Sequence, residues 1–196
     1  MQDKEVQLIA KQRKYKGFFA IDEYVLKHTK FNGQMSNQFS RELFERGNAS
    51  AVLLYDPLLD KVVLIEQFRI GAYVARKNPW LLELVAGIDE PGECPEDVVK
   101  REAFEEAGLE LKTVKFDFNY LVSPGGTSEV INLFIGTVDS TEAKGVHGVV
   151  EENEDIKVHT FDFSDAMQMV ESGKICNAST IVALFYLALH KSEFVN

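Results

Sequence analysis

The chain is poor in cysteine, in long apolar runs and in basic residues, and each shortage excludes a class of protein. Two cysteines, Cys94 and Cys176, are too few for a disulfide framework and fit reduced thiols in a cytoplasmic protein. No apolar run reaches the roughly 18 residues that a membrane-spanning helix needs, and the polar N-terminus shows no signal peptide. Lys and Arg number 21 against 31 Asp and Glu, and the net charge of −10 argues against a nucleic-acid partner.

The acidic charge is concentrated between residues 83 and 110, which hold ten carboxylates and only two bases, Lys100 and Arg101. Such a patch cannot attract a polyphosphate by itself. A bound metal ion would invert the local field, as it does in metal-assisted phosphoryl chemistry.

Within this stretch, residues 87 to 109 read GIDEPGECPEDVVKREAFEEAGL. The stretch fits the pattern G-x5-E-x7-R-E-U-x-E-E-x-G-U, where U is an apolar residue. Seven positions of specified residue type at set spacing are very unlikely to match by chance. The fixed positions are Gly87, Glu93, Arg101, Glu102, Glu105, Glu106 and Gly108.

The same stretch predicts a helix from about Pro95 to Ala107. Proline suits a first helical turn, and Gly108 can adopt the left-handed conformation that ends a helix. Glu102 and Glu106 are four residues apart, so their carboxylates lie one turn from each other on one face.

Two like charges so placed repel each other unless a cation neutralises them, and Mg²⁺ prefers oxygen ligands that it shares with substrate phosphates. The glycine-rich loop should let the Ala86 carbonyl approach such an ion, and Arg101 could orient Glu105 by an ion pair. A solvated acidic helix face is the usual meaning of a glutamate-rich helix. Here the glycines and the arginine at fixed offsets favour the metal site.

The pattern resembles the Nudix box, the signature of enzymes that hydrolyse a diphosphate linked to another moiety. Ala103 is smaller than the aliphatic residue that many members carry. The resemblance implies an α/β fold, a Nudix α/β/α sandwich with a mixed sheet. The strand and helix order of the chain itself also suggests a mixed sheet with helices on both faces.

We expect a small N-terminal β-rich region over residues 1–45 and a Nudix catalytic domain over residues 46–196. Short β-like pieces precede residue 45, and the Asn32-Gly33 pair predicts a hairpin. Buried strands are expected over residues 50–55 and 61–68. Further strands are expected over 80–86, near 114–122 and 130–139, and over 156–163. Two further helices should follow, one starting near Ser164 with its hydroxyl as a cap, the other over about 178–190 with Asn177 as a cap.

Beyond the box, the segments GFFAID, FNGQMS, PWLLELVAGI and SPGGTSE resemble those of the bacterial ADP-ribose pyrophosphatases, one subgroup of the family. Pro124, fifteen residues past the box, is similar to a mark of that subgroup. The implied reaction is hydrolysis of ADP-ribose to AMP and ribose 5-phosphate. It would require Mg²⁺, with Mn²⁺ as a substitute, and would involve no covalent enzyme intermediate.

The resemblance also implies roles for individual residues. The Ala86 carbonyl, Glu102, Glu106 and Glu154 would hold metal, and Glu152 would be the general base that activates water. The substrate-binding residues would be Phe18, Phe19, Arg41, Glu42, Arg46, Arg69, Ile88, Ser123, Gly125, Gly126 and Glu129. In the family the N-terminal strands exchange between subunits, so a homodimer is expected, with the first four of these residues acting from the partner.

Plainer interpretations exist for several of these residues. Arg46 and Arg69 could form ordinary surface ion pairs, and Phe18 and Phe19 could be core or interface packing. Two other functions are open: hydrolysis of another nucleoside diphosphate compound such as a sugar nucleotide, and a non-catalytic sensor that binds ADP-ribose-like ligands. Sensors usually lose box glutamates, and this box retains all of them.

Overall fold

The computed structural model describes residues 4–149 and 153–194. Contacts divide the chain into two compact units. The first comprises Met1–Asn48 with Leu121–Val130, and the second comprises Ala49–Tyr120 with Ile131–Asn196. The first unit therefore contains a segment from the middle of the chain, residues 121–130, in addition to the N-terminal strands.

The N-terminal unit contains a three-stranded antiparallel sheet with β2 at its centre. Its strands are β1 (Val6–Lys16), β2 (Ala20–His28) and β3 (Phe39–Glu45). The turn expected at Asn32-Gly33 lies between β2 and β3, and Gly33 has the positive φ of 82° that such a turn favours. β1 is longer than its apolar residues predict, because its polar second half pairs with β2 as far as Lys16.

The second unit is built on a mixed eight-stranded sheet. Its strands are β4 (Ala49–Asp56), β5 (Lys61–Phe68), β6 (Trp80–Glu83), β7 (Val85–Ile88), β8 (Thr113–Leu121), β9 (Val130–Thr137), β10 (Val146–His147) and β11 (Ile156–Asp162). The main order is β10-β11-β5-β4-β9-β8, with β6 paired to β5 and β7 paired to β4. The pairing of β4 with β9 is parallel and that of β4 with β5 is antiparallel.

Helices cover both faces of this sheet, which confirms the expected α/β/α sandwich. The helices are α1 (Ile70–Val74), α2 (Pro95–Ala107), α3 (Phe163–Glu171) and α4 (Ala178–His190), followed by a short 3-10 helix, Lys191–Glu193. Alternate residues of β4 point to opposite faces. Leu53 packs in the cluster that contains Leu184 of α4, whereas Val52 packs in the cluster that contains Val99 of α2.

Helix α2 has the bounds that the sequence predicts. Pro95 opens the helix, and Gly108 ends it with a φ of 66°. Its apolar stripe, Val99, Ala103 and Ala107, is buried against the sheet. Because Val99, Ala103 and Ala107 face the sheet, Glu106, which directly precedes Ala107, is buried on the same side of the helix.

Two sequence predictions were wrong in detail. Helix α3 begins at Phe163, and its cap residue is Asp162, without a side-chain cap hydrogen bond, so Ser164 is not the cap. The single strand expected over 80–86 is two strands, because the chain changes partner at Leu84, whose N–H bonds to Thr180 Oγ1 at 3.0 Å instead of joining a ladder. Asn177 does cap α4, accepting from the Thr180 N–H at 3.0 Å.

None of the helices in the described part of the chain combines the length and the apolar character needed to cross a membrane.

Candidate active site

The centre of the candidate site is Glu106, a carboxylate on the inner face of α2. Its side chain is almost fully buried, with the residue 3% exposed. The Ala86 N–H of β7 donates to its Oε2 at 3.1 Å. Burial above all, then the nearby charges of Glu102 and Glu154, raises the pKa of Glu106 to about 8. Within the described residues, the only hydrogen-bond donor to this buried carboxyl is the uncharged Ala86 N–H. Such a carboxylate is a strong ligand for an added cation.

Glu102 lies one turn before Glu106 and is held by the charge of Arg101. Arg101 Nη1 bonds to Glu102 Oε1 at 2.7 Å and to Glu105 Oε2 at 3.1 Å, and Nε lies 3.4 Å from Glu93 Oε1. The pairing of Arg101 with Glu105 that the sequence suggests is therefore present. Burial raises the pKa of Glu102, and Arg101 offsets part of that rise.

The box begins with a glycine because the Glu102 side chain occupies the space where a side chain of residue 87 would lie. A Cβ atom built on Gly87 would lie 2.0 Å from Glu102 Oε1 and 2.4 Å from its carboxyl carbon. Any side chain at residue 87 would therefore displace the carboxylate. Only glycine allows the Glu102 carboxylate to approach the backbone of residue 87 this closely.

Glu154 belongs to the same electrostatic group, since it raises the pKa of both Glu102 and Glu106. Its Oε2 accepts from the Val149 N–H at 3.0 Å. The preceding segment is tied to α2, because the Gly148 N–H donates to the Glu105 carbonyl at 3.2 Å. Glu152, the expected general base, lies outside the described residues.

Arg69 lies at the start of α1, directly after β5. Its Nε pairs with Glu83 Oε2 at 2.8 Å, so part of its charge is already used in an ion pair. It nevertheless lowers the pKa of Glu106, which places its charge near the site. Ile88, at the end of β7, is 40% exposed.

The donor chemistry of this group fits a hard divalent cation. Its ligands would be carboxylate oxygens and the Ala86 carbonyl, the donors that Mg²⁺ prefers. Within residues 4–149 and 153–194, no three His, Cys, Asp or Glu side chains converge tightly enough to form a complete cation site as they stand.

The N-terminal unit contains a second group of predicted residues. Phe19 packs edge-on against Phe18 at 4.7 Å and against Phe44 at 5.2 Å between ring centroids. The Arg46 guanidinium lies 5.3 Å from the Phe19 ring centroid and 3.4 Å from Glu129 Oε1. Phe18 remains largely exposed, with 89% of its surface free. The structure thus joins residues from two distant parts of the sequence into one aromatic and charged cluster.

Glu129 is the buried member of this cluster. Burial raises its pKa, and the positive charge of Arg46 offsets part of the rise. The loop before it is a tight turn in which the Gly126 N–H donates to the Ser123 carbonyl at 2.9 Å, while the Phe44 N–H donates to the Gly126 carbonyl at 2.8 Å. Gly125 is exposed within that turn.

Arg41 and Glu42 lie on β3 and are both exposed. The Arg41 guanidinium covers the Phe39 ring at 4.7 Å and donates to the Ser40 carbonyl at 2.8 Å. Both contacts are local, and they leave these two side chains at the surface of the N-terminal unit.

Sequence reasoning missed the contacts among Ser50, Asp89 and Asn132. Ser50 on β4 and Asn132 on β9 both donate to the Asp89 carboxylate, at 2.5 and 3.1 Å. No local pattern marks these residues, because the partners are 39 and 43 positions from Asp89.

Residues 45–179 match the model of the NUDIX domain. The chain is 52% identical over 192 residues to the ADP-ribose pyrophosphatase of Escherichia coli (strain K12), covering 98% of this chain and 92% of that protein. It is 45% identical to the ADP-ribose pyrophosphatase of Haemophilus influenzae over 96% of this chain and 88% of that protein. The chain therefore belongs to the Nudix family.

The chain is also similar to two other hydrolases. The GDP-mannose pyrophosphatase of Salmonella typhimurium is 35% identical over 87% of this chain and 88% of its own length. A crystal structure of an ADP compounds hydrolase superposes with a TM-score of 0.74, covering 97% of this chain and 96% of that chain at 18% identity. The last match is a likeness of fold.

Proposed function

We propose that this protein is a metal-dependent hydrolase that cleaves the diphosphate bond of ADP-ribose to give AMP and ribose 5-phosphate. The observation that carries the chemistry is the buried Glu106 carboxyl, whose pKa of about 8 leaves it ready to exchange a proton for a divalent cation. The choice of substrate is supported by the relatives at 52% and 45% identity that bear the name ADP-ribose pyrophosphatase.

The proposed ligands of Mg²⁺, or of Mn²⁺ in its place, are the Ala86 carbonyl, Glu102, Glu106 and Glu154. The bound ion would neutralise the diphosphate and polarise its phosphoryl oxygens. Each of the three carboxylates is already oriented by a contact of its own, to Arg101, to the Ala86 N–H and to the Val149 N–H respectively. Glu152 is proposed to accept the proton of the attacking water, which needs a carboxylate at hydrogen-bond distance from it.

We further propose that arginine and aromatic side chains bind the nucleotide. Arg46 and Arg69 offer planar donors that match phosphate oxygens. Phe18 offers an exposed ring on which a base can stack. Phe19 packs edge-on against that ring and is itself packed edge-on against Phe44. Arg41 and Glu42 would add contacts to the adenosine part, and residues 123–126 with Glu129 would contact the terminal ribose.

A homodimer through the N-terminal sheet is part of the proposal. Every residue of β1 is exposed, including the large apolar residues Val6, Leu8 and Tyr15. An exposed strand with apolar side chains favours association with a second copy. Light scattering of the purified protein would test this, and a monomer at micromolar concentration would contradict it. The exposed and unpaired Cys94 and Cys176 are in keeping with the proposed cytoplasmic location.

The activity is tested by incubating the protein with ADP-ribose and Mg²⁺, separating the products, and repeating the reaction with EDTA in place of Mg²⁺. We expect AMP and ribose 5-phosphate in equal amounts, and only with the metal. Running the reaction in ¹⁸O-labelled water would show which phosphorus is attacked. Binding of ADP-ribose without hydrolysis under all metal conditions would identify a sensor instead.

A sugar nucleotide is the second candidate substrate, because a relative at 35% identity is named GDP-mannose pyrophosphatase. A panel of ADP-ribose, GDP-mannose and a nucleoside triphosphate at equal concentrations decides between them. The proposal requires the highest kcat/KM for ADP-ribose, and a preference for the triphosphate would overturn it.

A further inference from the structure

The carboxylate of Asp89 is held on both of its oxygens by side chains of the central sheet. Ser50 Oγ donates to Oδ1 at 2.5 Å, and Asn132 Nδ2 donates to Oδ2 at 3.1 Å. Asn132 Nδ2 also lies 3.5 Å from Ser50 Oγ, which closes the triangle. Ser50 is fully buried. A buried hydroxyl that donates to a charged oxygen makes one of the stronger hydrogen bonds in proteins. We call Ser50, Asp89 and Asn132 the Asp89 clamp.

The clamp fixes the end of the strand that carries the metal-site backbone. β7 has four residues and, within the part of the chain that the structure describes, pairs only with β4, where Ser50 lies opposite Gly87 and Ala51 lies opposite Ala86. On its other side β4 pairs with β9, where Ser50 lies opposite Asn132. Asp89 directly follows β7, so its side chain anchors the end of that short strand to both β4 and β9.

The backbone of β7 lies next to both box glutamates. Glu102 fits only because Gly87 has no side chain, since a Cβ there would lie 2.0 Å from its carboxylate. Glu106 is held by the Ala86 N–H at 3.1 Å. A shift of β7 would therefore change the surroundings of both carboxylates.

We infer that Asp89 is a positioning residue, which, through Ser50 and Asn132, holds Ala86 and Gly87 where Glu102 and Glu106 can bind a divalent cation together. The inference rests on the proposed metal-dependent function. It assigns to Asp89 no contact with metal or substrate. Changes to groups that orient metal ligands typically weaken metal binding about 10- to 100-fold.

The same strand offers a matched control. At the opposite end of β4, Asp56 accepts from Ser140 Oγ at 2.8 Å and from the Ser140 N–H at 2.9 Å. Ser140 is 4% exposed, so Ser50→Ala and Ser140→Ala each delete one buried hydroxyl that donates to an aspartate. Only Ser50→Ala touches the clamp next to the metal site.

Two measurements on the full chain test the inference. Mn²⁺ affinity is measured by electron paramagnetic resonance, and amide exchange of Gly87 and Ile88 is measured by NMR on the metal-free protein. Ser50→Ala should raise the Kd for Mn²⁺ about tenfold or more and speed both exchanges. Ser140→Ala should change neither the Kd for Mn²⁺ nor the amide exchange. It should lose about as much thermal stability as Ser50→Ala.

Equal effects of the two serine variants on Mn²⁺ affinity, or no effect of either, would overturn the inference. Asp89→Asn provides a second variant of similar shape, which should weaken Mn²⁺ binding at least as much as Ser50→Ala. If the wild-type protein binds no Mn²⁺, the proposed metal-dependent function fails. In that case unchanged amide exchange in Ser50→Ala would separately refute the clamp.

Discussion

The buried carboxyl of Glu106 should make the metal-free protein less stable as the pH rises. Its pKa in the folded protein is about 8 against an ordinary value of 4.5, so the folded state binds the proton more tightly than the unfolded state. Stability is therefore lost from about the unfolded pKa upward, and the loss levels off above the folded pKa. At about 1.4 kcal/mol per pH unit, the full cost is about 5 kcal/mol, of which about 3 kcal/mol falls between pH 5.5 and 9.

Glu106→Gln tests this magnitude, because the amide cannot ionise yet its oxygen can still accept from the Ala86 N–H. Urea unfolding in EDTA is measured for both proteins at pH 5.5 and 9. The variant should gain about 3 kcal/mol relative to wild type between the two pH values. Glu96→Gln, on the exposed face of the same helix, serves as the control and should gain little.

The wild type and Glu106→Gln should differ in how strongly Mg²⁺ stabilises them. Saturating Mg²⁺ should stabilise the wild type, and more at pH 9 than at pH 5.5, because the cation binds the ionised carboxyl. Glu106→Gln should lose most turnover and most of this stabilisation. A stability difference between variant and wild type that is the same at both pH values would refute the reasoning about Glu106.

Three further variants test other parts of the site and the fold. Gly87→Ala should lower turnover about a hundredfold with an unchanged circular dichroism spectrum, because the added methyl group displaces Glu102; normal turnover would contradict the need for Glu102 in its present place. Glu152→Gln should lower kcat by about 10²–10⁴-fold while Glu151→Gln does not, and the reverse result in steady-state kinetics would reassign the base. Asn177→Ala should cost about 1 kcal/mol of stability in thermal unfolding with kcat unchanged, and an unaltered Tm would show that this cap contributes nothing.

Elements with local signals could be predicted from the sequence. Helix α2 has a proline at its start, a glycine at its end and an apolar stripe between them, and its bounds are those predicted. The apolar runs of β4 and β5 likewise identify the central strands. In these segments local preference and tertiary packing favour the same structure.

Elements that depend on distant partners could not be predicted in this way. Helix α1 has five residues, none of them buried, so no apolar stripe marks it. The change of partner at Leu84 depends on Thr180, which is 96 positions away. β1 extends over polar residues to Lys16 because β2 offers it a ladder, and both its faces are exposed.

In the candidate site too, local spacing could be predicted from the sequence, but contacts between distant residues could not. The spacing of Glu102 and Glu106 predicts a shared face, and the structure places both carboxyls beside β7, Glu106 at Ala86 and Glu102 at Gly87. The spacing cannot show that Ala86 bonds to Glu106, or that Arg46 and Glu129 meet at 3.4 Å. Those contacts arise from the order of the strands and from the packing of residues 121–130 in the N-terminal unit, and a short motif shows neither of these.

The two box glutamates differ in what neutralises them, and that difference assigns them different roles. Glu102 has Arg101 at 2.7 Å, so an arriving cation must share this carboxylate with a fixed positive charge. Glu106 is more deeply buried, and among the described residues its one hydrogen-bond donor is an uncharged N–H. Attraction to a cation is strongest where burial is deepest and neutralisation is least. Glu106 should therefore contribute most to the affinity for the metal. Glu102 is oriented by Arg101, and the absence of a side chain at Gly87 leaves room for it, so Glu102 should determine the direction from which its carboxylate binds the metal.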